Sequence, residues 1–395
     1  MRHWQGSLEN LVTRMPPKDS GPPSRDSYGP ARAFWARKRV FVTGHTGFKG
    51  SWLVLWLSHL GAEIHGYALE PPTKPSLFDE LKLAELCTHE TGDVRDADHI
   101  HASLHKFHPD IVLHLAAQPL VLASYAMPAE TFAVNVHGTV NVMEAARKAG
   151  PRAVLVITTD KCYLNRERTR PYTEDEALGG DDPYSASKGC AELAVRAWQK
   201  SFFNEKQNTV LGSARAGNIF GGGDWGDNRI LPDAARAFST GKPLIVRHPE
   251  AIRPWQHVTA PLCGYLMLAE RMFSDGHAYA IPFNFGPDGK DHLTVRQLVS
   301  VFTKCWGKPA AFEEQPDPSA PHEATYLSLD STRAIKKLGW RPPANLANDL
   351  QGTADLYKLL LKDAPFTEKR AACIAMIAKE SGASRADRVS DSRVA

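Results

Sequence analysis

A doubly wound α/β fold, in which a parallel sheet is covered by helices on both faces and a smaller C-terminal α+β lobe binds substrate, is what this 395-residue sequence predicts. Three observations predict it. Strand-like and helix-like segments alternate from Arg39 to Ala214. A turn with three glycines, Gly44, Gly47 and Gly50, joins the first strand to the first helix. From Asn218 the alternation gives way to a GGGDWGDN loop, denser proline and mixed short elements. Alternation with helical crossovers makes a parallel sheet, and such a sheet binds ligands beyond the carboxyl ends of its strands.

The elements follow in order. Arg39-Val40-Phe41-Val42-Thr43 reads as a short buried strand, and Ser51 to Leu60 as an apolar helix closed by Gly61. Between them the glycines let the main chain approach a pyrophosphate, while the helix N-terminus offers unpaired N–H groups and partial positive charge, so the turn is Rossmann-type. Next come Ile64 to Leu69, a segment Cys87 to Val94, and Asp110 to Leu115. A helical stretch near Glu130 to Ala149, a strand Ala153 to Thr158, a helix from Pro183 to about Phe203 and a strand Thr209 to Ala214 complete the alternation. Pro282 to Gly286 reads as a return to the sheet. The expected division is a disordered extension at 1–33, a cofactor domain at 34–217 with 255–286, a substrate lobe at 218–254 with 287–363, and a partly disordered tail at 364–395.

Composition bounds the function. A net charge of +3 gives no reason to expect nucleic acid. Cys87, Cys162, Cys190, Cys263, Cys305 and Cys373 form no Cys-x-x-Cys pair and no metal-like spacing with histidine, so they read as reduced residues and no metal is expected. The first thirty residues lack the apolar core of a secretory signal and are rich in Pro, Gly, Ser and Asp; Met15 is a candidate start. The longest apolar run, Trp52 to Leu57, is too short to span a bilayer. A cytoplasmic protein without membrane partners is the expectation.

Tyr184 and Lys188 lie four residues apart in PYSASKGCAEL, on one face of the helix. An ammonium near a phenol favours phenolate, which makes tyrosine a usable base. Taken alone the pair is an exposed Tyr and Lys; its setting gives it meaning. Thr158-Thr159-Asp160-Lys161 stands where the strand Ala153 to Thr158 ends, at the ligand-binding edge, so hydroxyl, carboxylate and amine are expected to converge with Tyr184 and Lys188.

Together the glycine turn, HLAAQ (114–118), VNVHGT (134–139), the Thr-Asp-Lys strand end and YSASK resemble the extended short-chain dehydrogenase/reductases. More narrowly, FVTGHTGFKGSWL, ALEPPT, AAQPLV, TTDKCY, RAGNIFGGGDW, RPWQHV and HEATYLSLDSTRAIKKLGWRP resemble the CDP-glucose 4,6-dehydratases, from about Phe34 to about Pro343. The resemblance implies an NAD enzyme in which Tyr184 takes the 4-hydroxyl proton, Lys188 holds the nicotinamide ribose, and Thr159 hydrogen-bonds the developing ketone. Asp160 is the implied acid at the 6-hydroxyl. Where the related dTDP-glucose dehydratases carry a second carboxylate, this chain has Lys161, which stays open as the carbon 5 base or as a stabiliser of the enolate.

The resemblance also implies cofactor contacts at Gly44, His45, Gly47, Phe48, Lys49, Gly50, Asp93, Val94, Ala116 and Ala117. It implies substrate contacts at Gln118, Ser124, Tyr125, Asn218, Arg229, Arg253, Glu323 and Tyr326, the two arginines being suited to pyrophosphate. A homodimer built through the helices at Glu130–Ala149 and Pro183–Phe203 is expected, as is a place in deoxysugar synthesis for surface polysaccharide such as lipopolysaccharide O-antigen. The acid that usually ends the second strand of NAD enzymes is expected near Ala68, whereas Glu70 comes two residues later. His45 and Lys49 could instead favour an extra phosphate. Other readings stay open: a dTDP-glucose or GDP-mannose dehydratase, a 4-epimerase, or an NAD-sensing binding protein.

Overall fold

The computed structural model describes residues 28–287, 292–316, 326–342 and 345–381. Its centre is a seven-stranded sheet made of β1 (Arg39–Thr43), β2 (Glu63–Ala68), β3 (Thr88–Thr91), β4 (Ile111–His114), β5 (Ala153–Ile157), β6 (Val210–Arg215) and β7 (Pro282–Asn284). The order across the sheet is β7-β6-β5-β4-β1-β2-β3 and every neighbouring pair is parallel. The order reverses at β1 and β4, so the crevice above that switch point is where a ligand fits.

Alternation along each strand divides the core between two faces. Val40, Val42, Ile111, Leu113, Leu155 and Ile157 face one cluster. Phe41, Val112, Val154 and Val156 face the other, where the helices Ala97–Phe107 and Gly138–Ala149 pack together. The period of two along a strand produces this division, and burial on both faces explains why the strands read as continuous apolar runs. The helix Phe48–Leu60 is buried from Gly50 to Leu57 because it is enclosed by the sheet on one side and by the helix Phe366–Glu380 on the other.

Several elements depart from the sequence reading. The first helix begins at Phe48, three residues before the expected start, so Gly47 is its cap and Gly50 lies in its first turn. The Glu130–Ala149 stretch is three joined pieces, Pro128–Phe132, a π-turn at Ala133–His137, and Gly138–Ala149. Within that turn Asn135 bonds both the backbone of Gln118 and Ser187 Oγ, a tertiary constraint no local propensity encodes. In the expected extension, a short helix at Arg32–Trp35 seats the buried Trp35, whose indole donates to Glu270 Oε1 at 2.5 Å. The expected tail contains the helix Phe366–Glu380, with Cys373 and Ile377 buried at i,i+4 spacing and Lys369 on Glu80 Oε2 at 2.5 Å.

The second lobe is built from short pairings. Ile219–Phe220 pairs with Gln256–His257, Leu244–Val246 with Phe312–Glu314, and Ile252–Pro254 with His292–Thr294. Among the described residues no helix is long and apolar enough to cross a membrane.

Candidate active site

At the carboxyl edge of the sheet the chain leaves β5 as Thr158-Thr159-Asp160-Lys161, and Thr158 N is still bonded to Ala214 O of β6 at 2.9 Å. Across the gap, the helix Pro183–Ser201 begins with a strong cap: Asp182 accepts from Ser185 N at 2.9 Å and Pro183 takes the first helical position. Ser124 Oγ accepts from Tyr184 N at 3.2 Å and so holds the helix entry from a third side.

These elements are fastened by a buried ion pair. Glu192, one turn beyond Lys188, accepts from Thr158 Oγ1 at 2.5 Å, from Ser213 Oγ at 2.9 Å and from Arg215 Nη2 at 2.7 Å. Arg215 also donates to Tyr163 OH at 2.7 Å and to Glu174 O at 3.0 Å. Strand end, the helix Pro183–Ser201 and the following strand are therefore joined by charge-assisted bonds inside the core.

Tyr184, Thr159, Asp160 and Lys161 line one cavity of about 880 Å³, together with Phe48, Lys49, Tyr125, Asn218, Arg229 and Arg253. Thr159 Oγ1 donates to Asp160 Oδ1 at 2.9 Å, and Asn218 Nδ2 donates to Asp160 Oδ2 at 3.1 Å. Burial raises the Asp160 carboxyl above the usual carboxylate range against the pull of Lys161, Thr159 and Arg253. A carboxyl whose neutral form is favoured is suited to donating a proton.

The expectation that Lys188 depresses Tyr184 meets a stronger effect. Burial pushes the Tyr184 phenol up to about 12, against the pull of the Thr159 side chain and the Arg229 charge, and burial pushes the Lys188 amine down to about 8. Both groups are removed from water, which disfavours the charged form of each. Lys188 is buried and does not line the cavity.

The glycine turn is shaped by close approach. Gly44 has φ +75°, and a Cβ there would stand 2.7 Å from Ala116 N; at Gly50 it would stand 2.1 Å from Gly44 O. At Gly47 it would meet nothing nearer than Gly44 O at 3.5 Å, and Gly47 caps the helix with no side-chain bond. Phe48 and Lys49 at the start of this helix line the cavity, and a helix N-terminus there suits a pyrophosphate.

The remaining expected residues separate by environment. His45 is buried under Gly66, bonded through Nε2 to His89 Nδ1 at 2.7 Å, and pushed down to about 3 by burial and by His89. A neutral, enclosed imidazole cannot attract an extra phosphate, so that reading of His45 is dropped. Lys49 lines the cavity and is pushed down to about 7 by burial and by the charges of Lys188 and Arg229. Asp93 is paired with Arg95, and Val94 packs against Gly138, where a Cβ would stand 2.6 Å from its methyl. Ala116 N bonds Thr43 Oγ1 at 3.2 Å, and Ala117 follows it in the loop after β4.

The Gln118 side chain is engaged by Leu120 N at 2.6 Å in its own loop and by Thr131 Oγ1 at 2.9 Å on the helix Pro128–Phe132. Ser124 is likewise turned to Val121 O and Tyr184 N. Arg229 pairs with Asp224 Oδ2 at 2.8 Å on the cavity wall, and Arg253 is buried there. Tyr326 bonds Thr169 O and His292 at 3.4 Å each and is outside that lining, while Glu323 lies outside the described residues. Sequence reasoning missed Glu192 and Gly217. The first is signalled by its i+4 spacing from Lys188; the second, where a Cβ would stand 1.9 Å from the Asp160 carboxyl carbon, has no local signal.

A family model described as the NAD dependent epimerase/dehydratase family matches residues 40–281. A CDP-glucose 4,6-dehydratase of Salmonella typhimurium is 48% identical over 334 residues, covering 83% of this chain and 93% of that protein. A dTDP-glucose 4,6-dehydratase of Streptomyces griseus is 29% identical over 331 residues, covering 80% of this chain and 93% of that protein. In fold, the chain resembles a dTDP-glucose 4,6-dehydratase of Streptomyces venezuelae solved with NAD bound, at TM-score 0.70, 23% identity, and coverage of 81% of this chain and 97% of that one.

Proposed function

The chain belongs to the NAD dependent epimerase/dehydratase family, and from that membership we propose that it dehydrates CDP-D-glucose to CDP-4-dehydro-6-deoxy-D-glucose. The protein is a nucleotide-sugar dehydratase with NAD as cofactor. The single observation that carries the reaction is the buried Asp160 carboxyl, held by Thr159 and Asn218 beside Tyr184. A 4-epimerase has no leaving group to protonate, whereas a dehydratase needs an acid at the 6-hydroxyl. The 48% identity supports CDP over dTDP as the nucleotide.

The residues divide the work as follows. Gly44, Gly47, Gly50 and the helix they open would hold the cofactor pyrophosphate, with Phe48, Lys49, Ala116 and Ala117 beside it and Asp93 and Val94 at the adenine. NAD held there would supply an acceptor for the carbon 4 hydride and, once reduced, a hydride donor for carbon 6. Tyr184 takes the 4-hydroxyl proton, Lys188 orients the ribose, and Thr159 bonds the forming ketone. That ketone acidifies carbon 5, whose proton Lys161 removes or whose enolate it stabilises, while Asp160 protonates the departing 6-hydroxyl. Arg229 and Arg253 neutralise the substrate pyrophosphate. Asn218 orients Asp160, Tyr125 borders the sugar, and Glu323 and Tyr326 are assigned to the nucleoside.

The setting belongs to the same proposal: a cytoplasmic homodimer in deoxysugar synthesis for surface polysaccharide. Incubation with CDP-, dTDP-, UDP- and GDP-hexoses tests the activity. A 4-keto-6-deoxy product from the CDP-sugar is expected; product from another nucleotide, or from none, defeats the reading.

A further inference from the structure

We propose that Asp224 is a positioning residue that aims Arg229 at the pyrophosphate of the substrate, and that Tyr357 in turn holds Asp224 in place. This rests on the dehydratase reading, in which Arg229 meets the pyrophosphate, and it adds two residues that the family resemblance does not assign to substrate. Arg229 stands where the loop 221–229 enters the helix Ile230–Ser239, with its side chain partly exposed at the cavity. A long side chain in that place is rich in rotamers. Unless something holds it beforehand, it gives up that freedom each time substrate binds.

Asp224 holds the arginine from one side only. Its Oδ2 accepts from Arg229 Nη1 at 2.8 Å, and among the described residues this is the one hydrogen bond of that guanidinium. Nε and Nη2 keep their donors. Together they form the flat fork that matches two oxygens of a phosphate. The carboxylate that does the holding is itself fixed: Asp224 is 4% exposed, and its Oδ1 accepts from Gly226 N at 3.1 Å. Both of its oxygens are engaged, so what it presents to the cavity is an oriented guanidinium.

The loop that bears Asp224 is anchored carbonyl by carbonyl. Gly222 O accepts from the Trp52 indole at 3.1 Å, Asp224 O from Tyr357 OH at 2.6 Å, Trp225 O from Arg236 Nη1 at 2.9 Å, and Gly226 O from Arg236 Nη2 at 3.3 Å. Those donors come from the helices Phe48–Leu60, Ile230–Ser239 and Leu346–Leu360. Tyr357 is fully buried on the last of these, and its ring meets Trp225 edge-on at 5.1 Å. A surface loop ordinarily leaves its carbonyls to water. Here Tyr357 fixes the backbone of the very residue whose carboxylate holds Arg229, so a helix remote in sequence sets the aim of a group in the cavity.

Charge and aim predict opposite effects. Asp224 is an anion beside an anionic substrate, so by charge alone its removal tightens binding; if it aims Arg229, its removal weakens binding. The full-length NAD-loaded protein is titrated with CDP by calorimetry and assayed with CDP-D-glucose. Asp224→Asn is expected to weaken CDP and raise KM by about tenfold, the scale of one long side chain immobilised on binding, with kcat within about twofold of wild type. Tyr357→Phe should move both in the same direction by less. Arg229→Ala should weaken CDP more than either, and the double variant of Asp224→Asn with Arg229→Ala should bind as Arg229→Ala does, because Asp224 acts through the arginine. CDP binding that is unchanged or tighter in Asp224→Asn, or losses that add in the double variant, would overturn the proposal. So would normal CDP binding in Arg229→Ala, which leaves nothing to aim, or a wild type without affinity for CDP. An unaffected Tyr357→Phe removes Tyr357 from it. The expected order of CDP affinities in a protein that makes no 4-keto-6-deoxy product instead defeats the dehydratase reading and leaves the positioning standing.

Discussion

Gly217 has no side chain at a place where a Cβ would stand 1.9 Å from Cγ of Asp160 and 2.0 Å from both of its oxygens. Alanine there must move the acid. Gly217→Ala is expected to leave the circular dichroism unchanged and to lower kcat by about a hundredfold, since an acid displaced from its leaving group gives up most of its contribution. Normal turnover in that variant removes Asp160 from the mechanism. Lys161 is tested by isotope. Lys161→Met should slow the wash-in of solvent deuterium at carbon 5, and an unchanged rate shows that Lys161 is neither base nor enolate stabiliser. The residue types at 159–161, 184 and 188 were legible because strand end and helix start are local patterns. The charge state of Tyr184 was not, because burial from several elements outweighs the neighbour one turn away.

At the level of elements, two joints carry predictions. Glu192 and Arg215 are each 3% exposed and bind the catalytic helix to β5 and β6. Glu192→Ala leaves Arg215 buried without its carboxylate, and a loss of roughly 3–5 kcal/mol in unfolding free energy is expected by chemical denaturation. A loss below about 1 kcal/mol, the scale of an exposed pair, shows that the joint is not a buried one. The second joint docks the helix Arg32–Trp35, where Glu270 Oε1 accepts from Ala31 N at 2.7 Å and from the Trp35 indole at 2.5 Å. Burial raises the Glu270 carboxyl from 4.5 to about 7. Between those values the folded protein holds a proton that the unfolded chain has lost, so this contribution is complete below about pH 4.5 and disappears as pH rises through about 7. Denaturation across that window should show stability falling with pH, and Glu270→Gln should flatten the slope.

For the whole molecule, the proposed dimer has a candidate surface. Leu193, Phe202 and Phe132 are 53%, 45% and 37% exposed on the helices expected to pair. Leu193→Glu is expected to shift sedimentation from dimer to monomer; a wild type that sediments as monomer removes the dimer from the proposal. The sequence by itself determined the doubly wound order, the glycine turn, the candidate side chains proposed to react and the family, because strand period, helix spacing and turn chemistry are local and survive in one dimension. Tertiary structure alone decided that Gln118 and Ser124 brace the loop and the catalytic helix. It also decided that His45 is enclosed beside His89, and that Gly217 makes room for the acid. Those outcomes depend on which distant segments meet in the core and on how far burial displaces a charge. No window of neighbouring residues contains that information.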